Sequence, residues 1–228
     1  MHRVVYPENQ TYNYGAPPKY NDVYALGYYF PEGLLKQVKT TNFGSNSYSH
    51  TAFENSILKN KPLLKFYIEL ITANLEVLYL DRYEANDKCL IFVSTVKFAT
   101  VLAELYRKMF PHLVVNRFCE DDPEESHLHG SDIIISTVIS SGTAKDIKDL
   151  RVVLQTVCIS SAPQNIQNLG RLRKLKGDRD TRFGYLFAEN IRKQRMYHQR
   201  RIELFAPRVA SHRTFKAKMQ STLKLPKT

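Results

Sequence analysis

The sequence predicts an α/β protein built on a doubly wound, mainly parallel sheet. Three observations lead there. Between residues 88 and 190, short apolar runs alternate with amphipathic segments whose apolar residues recur every three or four positions. The runs KCLIFVS (88–94), DIIIST (132–137) and RVVLQTVCIS (151–160) are almost continuously apolar, which suits strands covered on both faces. Helix-length segments lie between them, and parallel strands need connections of that length.

Taken in order, residues 1–22 hold Gly15, Pro7, Pro17 and Pro18 among tyrosines and asparagines and read as an extended lead-in. VYALGYYF (23–30) is rich in β-formers and reads as a strand, with a sheet edge as one place for it. QVKTTNFGSNSYSHT (37–51) has loop composition, and Ala52–Leu80 carries helical spacing broken near Pro62, giving two helices. The 88–94 strand is followed by a helix over 95–110, which Pro111 stops, then a strand over 113–118 and an acidic loop over 120–130. After the 132–137 strand come a Ser/Gly turn (138–146), the 151–160 strand, a helix over 163–175 entered through Pro163, and a strand over 182–188. The rest is basic, helical to Phe205 and loose thereafter. Three parts follow: 1–87, a lead-in strand and helical section; 88–190, the α/β lobe; and 191–228, a basic helix and tail.

Composition narrows the function. The 228 residues are 43% hydrophobic and 24% charged, an ordinary globular mixture. No apolar run approaches the ~18 residues that cross a bilayer, and the N-terminus has no secretory apolar core. The three cysteines, Cys89, Cys119 and Cys158, stand far apart, which argues against a zinc site or disulfide scaffold and for a reducing, cytoplasmic setting. Net charge is +11 and unevenly placed: residues 151–228 hold 18 basic and 4 acidic side chains, a net of +14. Nucleic acid is the expected partner of such a segment, with a solvated tail or an acidic protein as the alternatives.

Ligands of parallel sheets sit beyond the carboxyl ends of the strands, here the loops after Ser94, Thr137 and Ser160. GxxxxGK[ST], GxSxG and HExxH are all absent, and the SxxK matches at Ser56–Lys59 and Ser221–Lys224 lack their partner motifs. The chain therefore lacks the parts of a self-contained ATPase or hydrolase. QNLGRLR (167–173), by contrast, puts Gln167 and Arg171 one helical turn apart, with Arg173 close by and Gly170 admitting a phosphate or backbone. Arginine forks grip phosphate oxygens and stabilise charge that develops in phosphoryl transfer. Strand-end hydroxyls such as Ser94, Thr95 and Thr137 bind backbone phosphates or cap the following turn. His127 and His129 lack a third ligand and read as solvated, so no metal site is assigned. Tyr197, His198, Arg200 and Arg201 suit either a strand clamp or the solvated face of a basic helix.

IFVST (91–95), DIIISTVISSGTAKDI (132–147) and QNLGRLR together resemble motifs IV, V and VI of superfamily 2 helicases, on their second RecA-like lobe. From HRVVYP through YSHTAFENSILKN to QNLGRLRKL the chain is similar to phage-encoded branched-DNA helicases of the UvsW type. The resemblance implies a RecA-like fold and ATP-dependent DNA unwinding. Arg171 would be the arginine finger, with Arg173 the second; a GRxxR spacing would put Lys174 there instead. ATP would be met by Gly142, Asp146, Gln167, Gly170, Arg171 and Arg173. Ser94, Thr95, Thr137 and Ser141 would touch the nucleic-acid backbone. The family motif V is GxD, whereas GTAKD here is two residues longer. ATP and Mg2+ would be held mainly by a first, N-terminal RecA-like lobe, so this chain is expected to be inactive alone, either a piece of a longer protein or one subunit of a split one. DNA is the expected strand, with RNA also open. A non-catalytic nucleic-acid-binding module and a basic protein-interaction domain are the other two classes.

Overall fold

The computed structural model describes residues 19–42, 44, 46–139, 146–177 and 179–217. Seven strands form one sheet: β1 (Asn21–Tyr28), β2 (Lys88–Val93), β3 (Val115–Phe118), β4 (Ile133–Thr137), β5 (Leu150–Gln155), β6 (Thr181–Ala188) and β7 (Ser211–Lys216). Their spatial order is β3-β4-β2-β5-β6-β1-β7, and every pair is parallel. The helices are α1 (Glu32–Leu35), α2 (His50–Leu58), α3 (Lys61–Leu78), α4 (Val96–Met109), α5 (Glu125–Gly130), α6 (Ala162–Leu169) and α7 (Arg192–Phe205). None of them is long and apolar enough to cross a membrane.

Alternation along the strands divides the core in two. Cys89, Ile91 and Val93 of β2 face the layer of α2, α3 and α4, beside Phe53, Leu75 and Leu102. Leu90 and Phe92 face the opposite layer, beside Leu128, Leu169 and Phe205 of α5, α6 and α7. The apolar runs are therefore continuous because both faces are covered. Helix starts are chemical: Asn60 accepts from the Leu63 amide at 3.1 Å and Thr95 from the Phe98 amide at 3.1 Å, each capping its helix. Pro62 sits in the first turn of α3, where its missing N–H costs nothing, so the break at 62 is a helix start.

Four boundaries differ from expectation. β1 is internal, lying between β6 and β7, because residues 211–216 of the tail expected to be loose pair parallel along its outer side. The acidic 120–130 loop contains α5. The 151–160 strand ends at Gln155, and the 163–175 helix ends at Leu169.

Gly184 of β6 lies against Leu78 of α3 and Leu154 of β5: a Cβ there would be 2.5 Å from Leu78 Cδ1 and 3.0 Å from Leu154 Cδ1. Both leucines are buried, so Gly184→Val should cost about 1–3 kcal/mol through overpacking, read as a lower urea midpoint with unchanged m.

Candidate nucleotide and nucleic-acid interface

The connection from β2 runs to one side of the sheet and that from β5 to the other, so the crevice expected in such folds opens between their carboxyl ends. The start of α2 lies across it. Glu54 accepts from the Ser94 amide at 2.6 Å and from the Thr95 hydroxyl at 3.0 Å, and Thr51 Oγ1 meets Ser94 Oγ at 2.9 Å. The Cys158 amide, beyond β5, donates to His50 Nδ1 at 3.2 Å, and Tyr48 Oη lies 2.7 Å from the same nitrogen. Thr95 is thus an N-cap that also holds a carboxyl group. Glu54 was not anticipated; its one sequence sign is an acidic residue on the apolar face of α2.

Burial pushes the Glu54 carboxyl up to about 8, against the hydrogen bonds from Ser94 and Thr95. Burial, and then the charge of Arg201, takes the His50 imidazole down to about 3, and His198 is lowered to about 4 by burial, His212 and Arg201. Because the unfolded Glu54 loses its proton near pH 4.5 while the folded one keeps it to about 8, stability falls as pH rises through that interval. The histidines act in the other direction: below their unfolded pKa of about 6.5 the unfolded chain takes up protons that the folded one refuses. Stability should therefore peak near pH 6.5, and Glu54→Gln should flatten the fall of about 1–2 kcal/mol between 6.5 and 8, measured by urea titration at each pH.

At the end of β4, Thr137 is buried and gives its hydroxyl to Glu120 Oε1 at 2.8 Å. Gly142 and Ser141 lie outside the described residues. Val138 and Asp146, on either side of them, lie against α6 and the residues after it. Gln164 Nε2 donates to the Val138 carbonyl at 3.4 Å, and Arg173 Nε is 3.8 Å from Asp146 Oδ1. Ile147 shares a core cluster with Leu169 and Leu172. The motif V-like and motif VI-like segments thus converge, although about 25 residues separate them in sequence.

α6 begins at Ser161, whose hydroxyl accepts from the Gln164 amide at 3.4 Å, and it ends against Gly170 at φ −67°. Gly170 is therefore not needed for a left-handed turn; a Cβ there would press on the Ile166 carbonyl at 3.2 Å. Gln167 is exposed on α6, while Arg171 is half-buried in the turn beyond it. The expected one-turn pairing of those side chains is thus replaced by a helix end between them. Burial, and next the neighbouring Arg173, lowers the Arg171 pKa, with Asp146 opposing. Arg173 and Asp146 are 67% and 75% exposed, so their ion pair contributes little to stability.

Beneath α6 lies a polar network that the sequence did not announce. Asn168 Nδ2 donates to Gln155 Oε1 at 2.9 Å, Asn165 Nδ2 to the Ile159 and Ser161 carbonyls at 3.1 and 2.9 Å, and Arg201 Nε to Asn165 Oδ1 at 3.0 Å. Arg201 and His198 are buried, so neither belongs to a solvated clamp; Tyr197 is half-buried and Arg200 exposed. The network fixes the roll of α6 and with it the exit towards Arg171.

The two guanidinium groups suit an anionic phosphate chain, and among the described residues no group of three metal-ligating side chains lies beside them. The one grouping of three ligand types among the described residues, Asp122, Glu124 and His127, sits on the α5 side, where His127 Nδ1 lies 3.1 Å from the Arg117 carbonyl oxygen.

No protein-family model and no curated protein matches the chain. Solved structures do. UvsW of T4 superposes with a TM-score of 0.56 at 15% identity, covering 86% of this chain and 41% of that one. Domain 2 of the DEAD-box helicase Mss116p, bound to an RNA duplex, gives 0.52 at 17% identity, covering 87% and 64%. Mss116p bound to single-stranded RNA and AMP-PNP gives 0.52 at 16% identity, covering 87% and 32%. The chain thus spans less than two thirds of the length of these structures. Its fold is the RecA-like α/β fold of helicase C-terminal lobes.

Proposed function

We propose that the chain is the second motor lobe of an ATP-dependent superfamily 2 helicase acting on DNA, of the phage branched-DNA type, working in the cytoplasm in replication or recombination. It pairs with a first RecA-like lobe that carries the phosphate loop and the Mg2+-holding carboxylate. The approach of Val138 and Asp146 to α6 and the turn of Arg171 and Arg173 supports this reading, because it brings together two segments distant in sequence, one of them carrying two arginines suited to phosphate. Residues 88–190 are the working lobe. Arg171 and Arg173 approach the γ-phosphate of ATP supplied across a cleft, and Gly142, Asp146, Gln167 and Gly170 border it. Ser94, Thr95, Thr137 and Ser141 line the track of the nucleic-acid backbone. Supplying the finger from one lobe to a nucleotide held by the other makes hydrolysis depend on closure.

A backbone phosphate arriving at Thr137 meets Glu120, which holds its hydroxyl at 2.8 Å. Glu120→Gln removes that negative charge and should tighten binding about threefold to tenfold. The test is fluorescence anisotropy with a labelled branched DNA over a salt series. For the unaltered chain, log K should fall with log salt at a slope of about −3, for several neutralised phosphates. A slope near zero, or weaker binding by Glu120→Gln, contradicts the proposed track.

A further inference from the structure

Between α6 and α7 lies a cavity of about 410 Å3 whose wall includes Ser160, Asn165, Tyr197, Arg200, Arg201 and Arg208. None of the residues assigned above to ATP or the nucleic-acid track lines it. Its volume falls in the range of small-molecule sites and exceeds what one ordered water needs.

Arg201 is the informative residue. It is 2% exposed, and its guanidinium carbon sits 4.3 Å from the centroid of the Tyr185 ring. Nε donates to Asn165, but Nη2 is buried with no hydrogen-bond partner, and no carboxylate pairs with the group among the described residues. Arginine cannot shed its proton as lysine or histidine can, so the charge persists in the folded chain. Buried cations are normally paired, because taking a charge out of water is costly unless an opposite charge and hydrogen bonds compensate. The Tyr185 ring and Asn165 meet only part of that need.

Among the described residues, the buried neighbours of Arg201 add no negative charge. His50, His198 and His212 are held below their ordinary range, by burial first, with Arg201 contributing in each case. Burial likewise pushes the Cys158 thiol up, keeping it neutral. Around the opening Glu203 is the one acid, against exposed Arg200 and Arg208. The wall is a cationic recess with a donor left over.

We propose that the α6–α7 recess is an oxyanion site that takes a phosphate group, with Arg201 as its buried counter-charge and Arg200 and Arg208 as its rim. A planar guanidinium with a spare N–H matches a phosphate oxygen in geometry as well as charge. The inference stands on the recess and does not rest on the motor assignment. The phosphate comes free or as a small ester, or on the end of a nucleic-acid strand.

Thermal unfolding of the full chain in inorganic phosphate, against chloride at equal ionic strength, tests it. The expected result is a saturable rise in Tm, about 5 °C or more at a hundredfold excess over Kd. Arg200→Ala with Arg208→Ala changes two exposed side chains, so the fold is kept and phosphate affinity should drop about tenfold. Arg201→Met, which preserves length without charge, should lose the response; if that variant does not fold, the double variant decides. A 5′-phosphorylated oligonucleotide compared with its dephosphorylated form separates the sources: a difference between them assigns the site to strand ends, and equality beside a phosphate effect assigns it to free phosphate. No rise beyond chloride, or an equal rise in the double variant, overturns the proposal.

Discussion

Asp87→Ala should remove about 3 kcal/mol of stability, the largest loss expected from one side chain outside the apolar core. Asp87 is 0% exposed and accepts from Arg151 Nη1 at 2.5 Å and from Arg179 Nη1 at 2.9 Å. Arg151 also reaches Glu84 at 2.8 Å and Asp180 at 3.1 Å, and Arg182 reaches Asp180 at 2.6 Å and the Leu78 carbonyl at 2.7 Å. This network ties the entries of β2, β5 and β6 to the end of α3. Burial pushes the Asp180 carboxyl up, but its hydrogen bonds from Arg182 and Arg151 outweigh that and hold it low. The contribution of Asp180 is therefore present above its unfolded pKa and lost as pH falls through the depressed one. Deleting Asp87 leaves Arg151 with a weaker set of partners in a buried position, and the cost is that of an uncompensated charge. On a domain of this size the loss corresponds to a Tm drop of about 6–12 °C. Asp87→Asn, which keeps the shape and one acceptor, should fall between. A drop below about 1 kcal/mol for Asp87→Ala would mean that Glu84 and Asp180 suffice to compensate Arg151.

Under the proposed function, Arg171→Ala should lower ATP turnover by the two lobes together by about 10³-fold or more while leaving the fold of this lobe in place. The expected size rests on charge that develops on the transferring phosphoryl group and is met by a fixed fork rather than by water. Arg171 is half-buried in the turn after α6, and that turn is held by the network of Asn168, Gln155, Asn165 and Arg201. Such a group arrives pre-positioned. Arg173 is exposed, with Asp146 at 3.8 Å, so holding it in place costs more conformational freedom and Arg173→Ala should cost only about tenfold. Lysine at 171 should not restore activity, because a point charge cannot reproduce the bidentate fork. The readout is kcat at saturating ATP and nucleic acid, with the urea midpoint of each variant as a check on folding.

Much of the lobe was legible because its signals are local. The runs around Ile91, Ile134 and Val153 announced buried parallel strands, and Thr95, Pro111 and Pro163 marked helix ends. The position of β1 was not legible: pairing across the sheet leaves no trace in residues 23–30 themselves, and its outer neighbour SHRTFK is polar and charged enough to pass for a tail. The helix expected over 163–175 runs past the observed end at Leu169 because RLRKL continues an apolar period beyond Gly170. Leu172 is fully buried from a turn, so the period continues while the helix does not. For the candidate site, motif order offers Ser94, Thr95, Thr137 and Ser141 towards nucleic acid and Gly142, Asp146, Gln167, Gly170, Arg171 and Arg173 towards ATP, all as candidates. The sequence assigns no role to Glu54 or Glu120 and offers Arg201 only for a strand clamp or a solvated face, whereas each meets its partner 17 or more residues away. A single chain carries no sign of such contacts.

The most direct test of the central claim is ATP turnover, with and without branched DNA, by this chain, by a phosphate-loop-bearing first lobe, and by the two together. The expected result is DNA-stimulated hydrolysis in the mixture alone, with each lobe inactive by itself. Hydrolysis that the first lobe performs equally well without this chain would contradict a motor lobe that supplies part of the catalytic site.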